Sequence, residues 1–104
     1  MKLIIAITNP SDAPAVSAAM SKAGHPFTTT NSTGGFLHKD NTILFAGVDE
    51  KRVGSVLKIL RENTNSREEA VSSDINTGSF KLPPQIRVGG AVAFVLDVEQ
   101  FIRL

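Results

Sequence analysis

The side chains best suited to proton transfer or metal binding are two histidines and ten carboxylates. His25 lies between Gly24 and Pro26, which is a loop context, and His38 precedes Asp40 in a polar turn. One histidine and one aspartate are too few ligands for a metal, and no metalloprotease, nucleophile-elbow or paired-carboxylate motif occurs. The chain has no cysteine, and so no thiol nucleophile. We therefore predict no catalytic residue, no metal and no enzymatic activity.

A Gly-Gly pair followed by an aromatic residue is the best candidate for nucleotide binding. It lies in residues 33–37, Thr-Gly-Gly-Phe-Leu. Backbone amides beside glycine can approach a phosphate, and Phe36 can stack on a base. Taken alone, however, the pair is more typical of a plain turn, because the P-loop and Rossmann glycine patterns are absent. The threonines at 28–30 could donate hydroxyl hydrogen bonds, but they also favour a strand.

The segments that would position these residues alternate between strands and helices. Strands are predicted at 1–8, 26–33, 42–48 and 86–98, where β-branched and aliphatic runs end at turn residues. Helices are predicted after Ser11 and Asp49 as N-caps, because apolar residues recur three or four apart beyond each, and Gly24 should end the first. The charged run 50–52, Glu-Lys-Arg, is interpreted as a solvated first helical turn. Residues 63–84 are polar and predict a flexible loop.

The order of these elements, βαββαβ, is that of a ferredoxin-like α+β sandwich in one domain over residues 1–104. Two helices can cover only one face of a four-stranded sheet. The strand segments 3–7, 43–48 and 88–95 nevertheless carry apolar residues on both faces. Because an exposed apolar face of this size usually marks a subunit interface, we expect an oligomer.

The composition is that of an ordinary globular domain, with 41% hydrophobic and 20% charged residues. The net charge of +1 argues against binding to duplex nucleic acid. The apolar run after Lys2 ends at Asn9-Pro10, too early for a signal peptide or a membrane span. We expect a cytoplasmic protein that binds neither nucleic acid nor membranes.

The segment 32–37, Ser-Thr-Gly-Gly-Phe-Leu, followed by Asn41-Thr42 and Gly47-Val48, resembles the signature of the PII-like cyclic di-AMP receptor proteins. The first seven residues, the pair Arg67-Glu68 and the segment 88–95 fit the same family. This resemblance implies a PII-like signalling protein that forms a homotrimer, with three ligand sites in the clefts between subunits. It also implies that cyclic di-AMP binding moves the loops and thereby regulates a partner protein.

The resemblance also implies which residues contact the ligand. Thr28 and Asn41 would hydrogen-bond to phosphate or base edges, and Gly47 would allow close backbone approach. The apolar contacts to adenine would come from Phe36, Leu37 and Phe94. Arg103, which stands where the family has a glutamine, could add a positive charge.

Three positions near the second strand differ from the family pattern. Gly24 and Pro26 stand where the family has asparagine and arginine, and Phe27 stands where it has a small residue. Loss of an arginine removes a charge-assisted contact to phosphate. One alternative is therefore a divergent PII-like trimer that has lost cyclic di-AMP binding, and binds another nucleotide or acts as a protein-interaction module. A small enzyme or metal-binding protein on the same fold is a third possibility, which the missing ligand set and acid–base pair disfavour.

Overall fold

A computed structural model describes residues 1–33, 40–64, 66–70 and 85–104, with 66–70 and 85–89 described by their backbone. The described elements are β1 (Lys2–Thr8), α1 (Ala13–Lys22), β2 (Thr28–Thr33), β3 (Asp40–Val48), a 3-10 turn (Glu50–Arg52), α2 (Val53–Asn63), β4 (Ser66–Ala70), β5 (Gln85–Gly89) and β6 (Ala91–Asp97). No helix among these residues is long and apolar enough to cross a membrane.

Four of the strands form an antiparallel sheet in the order β2-β3-β1-β6. The most apolar strand, β1, is central and pairs along its whole length with β3 and β6. This strand order, with two helices on one face, is consistent with the predicted ferredoxin-like, PII-like fold. The prediction of an α+β fold is confirmed.

The core lies between the helices and the even-numbered side chains of β1 and β3. It is closed by the apolar stripes of α1 and α2, as their three- and four-residue spacing predicted. The buried apolar side chains among the described residues are Ile4, Ala6, Val16, Met20, Leu44, Ala46, Val48, Val56 and Leu60. Burial of each large aliphatic side chain stabilises the fold by about 1.5–3 kcal/mol, so this layer holds sheet and helices together.

The end of α1 follows the prediction, whereas its start does not. Gly24 has a φ of +77°, its N–H donates to the Ser21 carbonyl, and the next N–H donates to the Met20 carbonyl. These two bonds form a Schellman motif, which requires the left-handed conformation that glycine adopts readily. The predicted N-cap Ser11 instead donates its N–H and its hydroxyl to Asn9 Oδ1. The N-cap is Asp12, and the helix begins at Ala13, one residue later than predicted.

The second half of the chain differs from the prediction in two places. The single strand predicted over 86–98 is wrong, because Gly90, with a φ of +78°, separates β5 from β6. β5 turns away to pair with β4, from Ser66↔Gly89 to Ala70↔Gln85. Part of the predicted loop 63–84 is therefore a strand. Residues 71–84 lie outside the described residues, and their flexibility stays a prediction.

Candidate functional site

The predicted ligand-binding residues that the structure describes on strands all lie on one face of the sheet. Antiparallel partners share a face, and the register places Thr28, Phe45, Ile5 and Phe94 in one row across the four strands. Asn41 and Gly47 lie on the same side as Phe45, because side chains two residues apart along a strand share a face. We call this side, formed by the odd-numbered residues of β1 and β3 and the even-numbered residues of β2 and β6, the open face.

The middle of the open face is apolar and reachable by solvent. Ile5, Ile7 and Phe45 are partly exposed, and the side chains of Phe94 and Leu96 are 46% and 43% exposed. No helix covers this side, since both pack on the opposite one. The expected second apolar sheet face is confirmed, and it offers flat apolar and aromatic area to a base or to another subunit.

A polar cleft of about 410 Å³ lies at one end of the β2–β3 pair, where residues from both faces of the sheet line it, with Ser32 and Asn41 on the open face. Its lining is Pro10, Asn31, Ser32, Thr33, Asp40 and Asn41. Asn41 is only 3% exposed, so its amide is held in a fixed position. Amides and hydroxyls of this kind can donate to phosphate oxygens and can also pair with base edges. Phe36 and Leu37 lie outside the described residues, but the strand residues that flank 34–39, Thr33 and Asp40, pair with each other beside this cleft.

A second cleft, of about 190 Å³, lies at the opposite end of β3 and is called here the Gly47 cleft. It is lined by Met1, by His25 and Pro26, by Gly47, Val48 and Asp49, and by Arg52. A Cβ atom added to Gly47 would have the sulfur of Met1 at 3.8 Å as its nearest neighbour. Gly47 is exposed, and the absence of a side chain there leaves its backbone accessible beside Met1.

A buried histidine fixes the wall of the Gly47 cleft. His25 is 5% exposed, and its Nε2 is hydrogen-bonded to Ser55 Oγ of α2 at 2.9 Å. This bond ties the segment before β2 to the start of α2, so Pro26 and Arg52 are held on the same cleft. The position of His25 beside Gly24 had indicated only a loop.

Arg103 and Phe27 are placed away from these clefts. The Arg103 guanidinium carbon lies 5.9 Å from the centroid of the Phe101 ring, in the segment after β6, and Arg103 lines neither cleft. Phe27 packs against the core, one residue before Thr28, so its bulk lies on the covered side of the sheet. The replacement of a small family residue by Phe27 therefore does not obstruct the open face.

The described candidate residues are spread widely over a single chain. Thr28 and Phe94 are separated by three strand spacings, or about 14 Å. Asn41 and Gly47 are six residues apart on β3, or about 20 Å. Only Thr28 and Gly47 are close, because Thr28 pairs with Phe45, two residues from Gly47. A single chain thus contains these candidate residues but does not bring them together into one enclosed site.

The whole chain, residues 1–104, matches the sequence family described as cyclic-di-AMP receptor. The protein belongs to this family. It is also similar to a protein of solved structure, "a functionally unknown protein from Pediococcus pentosaceus ATCC 25745". The two share 36% sequence identity with a TM-score of 0.74, over 99% of this chain and 96% of that one. The predicted resemblance is confirmed, and membership of this family indicates a nucleotide-binding signalling role.

The electrostatics of this receptor-family chain leave the open face without a cation of its own. Within its described strands the open face carries no lysine or arginine. Lys2 lies on the covered side and forms a salt bridge with Asp97. The hydrogen bond between them raises the pKa of Lys2 above its ordinary value and lowers that of Asp97.

Proposed function

We propose that this protein is a cytoplasmic, non-enzymatic PII-like receptor, a single domain over residues 1–104 that binds cyclic di-AMP and regulates a partner protein through its loops. Family membership over the whole chain supports the ligand. The observation that carries the proposal is the placement of Thr28, Asn41, Gly47 and Phe94 on one sheet face that the helices leave uncovered. The proposed site also includes Phe36, Leu37 and Arg103, from the resemblance.

The chemistry of the open face complements a cyclic dinucleotide. Its apolar middle can contact adenine faces, with Phe94 as the exposed aromatic ring. The polar cleft at Asn41 can hydrogen-bond to base edges or phosphate oxygens. The uncovered backbone at Gly47 accepts a flat group at close range. Binding sites for such ligands combine mostly apolar walls with a few placed polar groups.

A trimer accounts for the wide spacing of these residues. Thr28 and Phe94 belong to β2 and β6, the two edge strands of the sheet. Since about 14 Å separates them within one chain, a single adenine cannot contact both. If β2 of one subunit lies near β6 of the next, the two side chains meet across the cleft. The exposed apolar area of the open face would then be buried by association.

Calorimetric titration of cyclic di-AMP into the purified protein tests the ligand, with ATP, AMP and cyclic di-GMP as controls. We expect one molecule bound per subunit, with an affinity in the low-micromolar range or tighter, for cyclic di-AMP alone. Light scattering on the same sample should give three times the 11.1 kDa of one chain. A monomer would contradict the subunit-cleft site.

The divergent PII-like trimer remains the second candidate, and Pro26 favours it. The family arginine that this proline replaces would have carried a positive charge to the phosphates. A trimer that gives no heat with cyclic di-AMP would support this alternative. The search would then move to other nucleotides and to protein partners.

A further inference from the structure

A cyclic dinucleotide brings two phosphate charges, and this chain must neutralise them without the family arginine. Burial of a phosphate against an uncharged sheet face would be unfavourable, because the group loses its hydration without gaining a counter-charge. Among the described residues, the open face has no cation and Lys2 is paired with Asp97 on the other side. We therefore looked for a described cation close to the candidate site that could supply the positive charge of the missing arginine.

Arg52 lines the Gly47 cleft together with Pro26, the residue at the family arginine's position. Its side chain is exposed and forms no ion pair or hydrogen bond with any residue in the described part of the chain. The cleft also contains Gly47, where we place an adenine. A guanidinium and a nucleotide-binding backbone position thus share one cleft of about 190 Å³.

We infer that Arg52 supplies the guanidinium contact to one phosphate of the cyclic dinucleotide, in place of the arginine that Pro26 replaces. The inference rests on the proposed function. The planar guanidinium can give two parallel hydrogen bonds to phosphate oxygens, which makes arginine suited to this role from a different backbone position. The hydrogen bond between His25 and Ser55 holds the segment before β2 against the start of α2. Ser55 lies one helical turn beyond Arg52, so the same bond holds Arg52 near Pro26.

Asp49 lines the same cleft, and its negative charge opposes this contact. Asp49 makes no side-chain capping bond to the helical turn that follows it, so its charge is not needed there. Replacement of Asp49 by asparagine should therefore tighten the binding of cyclic di-AMP by removing a repulsive charge. Within the described part of the chain Arg103 is another candidate cation, but its guanidinium lies over Phe101 and it lines neither cleft.

The test is calorimetric titration of cyclic di-AMP into the wild-type protein and into Arg52→Gln, Arg52→Lys, Arg61→Gln and Arg103→Gln. Arg61 is the matched control, an exposed arginine near the other end of α2. We expect Arg52→Gln to weaken binding about 10- to 100-fold, as for a lost hydrogen bond to a charged group. Arg52→Lys should recover part of the affinity, and Arg61→Gln should bind like the wild type. All four variants should unfold at the wild-type temperature.

A second readout separates a charge contact from a change in shape. Affinity for a charged ligand falls as salt rises, and loss of one contacting cation makes that fall shallower. We expect a shallower salt dependence in Arg52→Gln than in Arg61→Gln. Equal affinity in Arg52→Gln and the wild type overturns the inference alone, as does a loss confined to Arg103→Gln. No binding of cyclic di-AMP to the wild type overturns the proposed function and the inference with it.

Discussion

Replacement of Gly47 by alanine adds one methyl group to the open face at the point where we place an adenine. In the free protein this methyl fits. Its nearest neighbour would be the Met1 sulfur at 3.8 Å, an ordinary van der Waals distance. Gly47 does not have a positive φ, so alanine requires no backbone strain. We expect the variant to fold and to assemble like the wild type.

The expected effect on stability is small and favourable. Glycine inside a strand is destabilising by about 0.5–1 kcal/mol relative to alanine. A change of 1 kcal/mol corresponds to about 4–8 °C in Tm for a domain of this size. The Tm of Gly47→Ala should thus equal or slightly exceed that of the wild type. A loss of binding could then not be attributed to unfolding.

The expected effect on binding is large and unfavourable. A base in contact with the Gly47 backbone would lie about 3.5–4 Å from it, which is the space that the methyl group occupies. Overpacking of a well-fitted contact costs about 1–3 kcal/mol, equivalent to about 5- to 150-fold in affinity. Phe94 lies on the opposite edge strand, about 14 Å from β2. Its ring therefore cannot replace, within the same chain, a contact that is lost at Gly47.

Calorimetric titration of cyclic di-AMP measures this effect, with Gly54→Ala as the matched control. Gly54 is exposed on α2, and a Cβ atom there would meet nothing within 4 Å. The control should gain helix stability of about 1 kcal/mol and bind like the wild type. Wild-type affinity in Gly47→Ala would refute the placement of the adenine on this backbone. Equal losses in both variants would show that the effect is not local.

Three further predictions concern the polar cleft, the core and a surface ion pair. Asn41→Ala should abolish detectable cyclic di-AMP binding and leave the light-scattering mass unchanged, and unchanged affinity would mean that Asn41 makes no ligand contact. Met20→Ala, at a fully buried position, should lower the free energy of unfolding in urea by about 2–5 kcal/mol, and a loss well below that would contradict the packing. Asp97→Asn should lower the Tm slightly at neutral pH, because Lys2 lowers the pKa of Asp97 and the charged pair is then stabilising. That difference should vanish as the pH falls through the lowered pKa of Asp97, and also as the pH rises through the raised pKa of Lys2. A difference that persists in acid would exclude the pair as its cause.

The main sheet and its core could be predicted from local patterns. β1 and β3 carry apolar residues on both faces, so their identity as strands follows from the sequence pattern. The stripe that ends at Leu60 fixed which side of α2 faces inward, and Gly24 marked the end of α1. These features depend on residues within a few positions of each other. For that reason they can be read without knowledge of the tertiary structure.

The elements that the sequence analysis missed depend on competing or distant partners. β4 has the sequence Ser-Arg-Glu-Glu-Ala, which lacks the apolar alternation of a half-buried strand, so only its pairing with β5 shows it. The apolar run from 86 to 98 concealed the break at Gly90, since a single residue with positive φ leaves the hydrophobic pattern intact. Ser11 has the chemistry of an N-cap, but Asn9 accepts its hydrogen bonds instead.

The residues of the candidate site also divide into those that a local sequence pattern predicts and those that depend on distant segments. Once the strand register is known, Thr28, Asn41, Gly47 and Phe94 fall on one face by alternation. Arg52, in contrast, belongs to a charged run that is typical of any solvated helix start. Its place beside Pro26 depends on a cleft formed by segments about 25 residues apart. No local pattern reports that proximity.

The departures from the family pattern at Pro26 and Phe27 therefore have different consequences, although they are adjacent in sequence. Phe27 packs into the core, where its size contributes apolar burial and leaves the ligand face clear. Pro26 lines the cleft itself and removes a positive charge from it. The positive charge that Pro26 removes is therefore one determinant of whether this chain has kept its family's ligand. If Arg52 supplies that charge from the neighbouring helix, the receptor has kept the phosphate contact and changed only the backbone position that provides it.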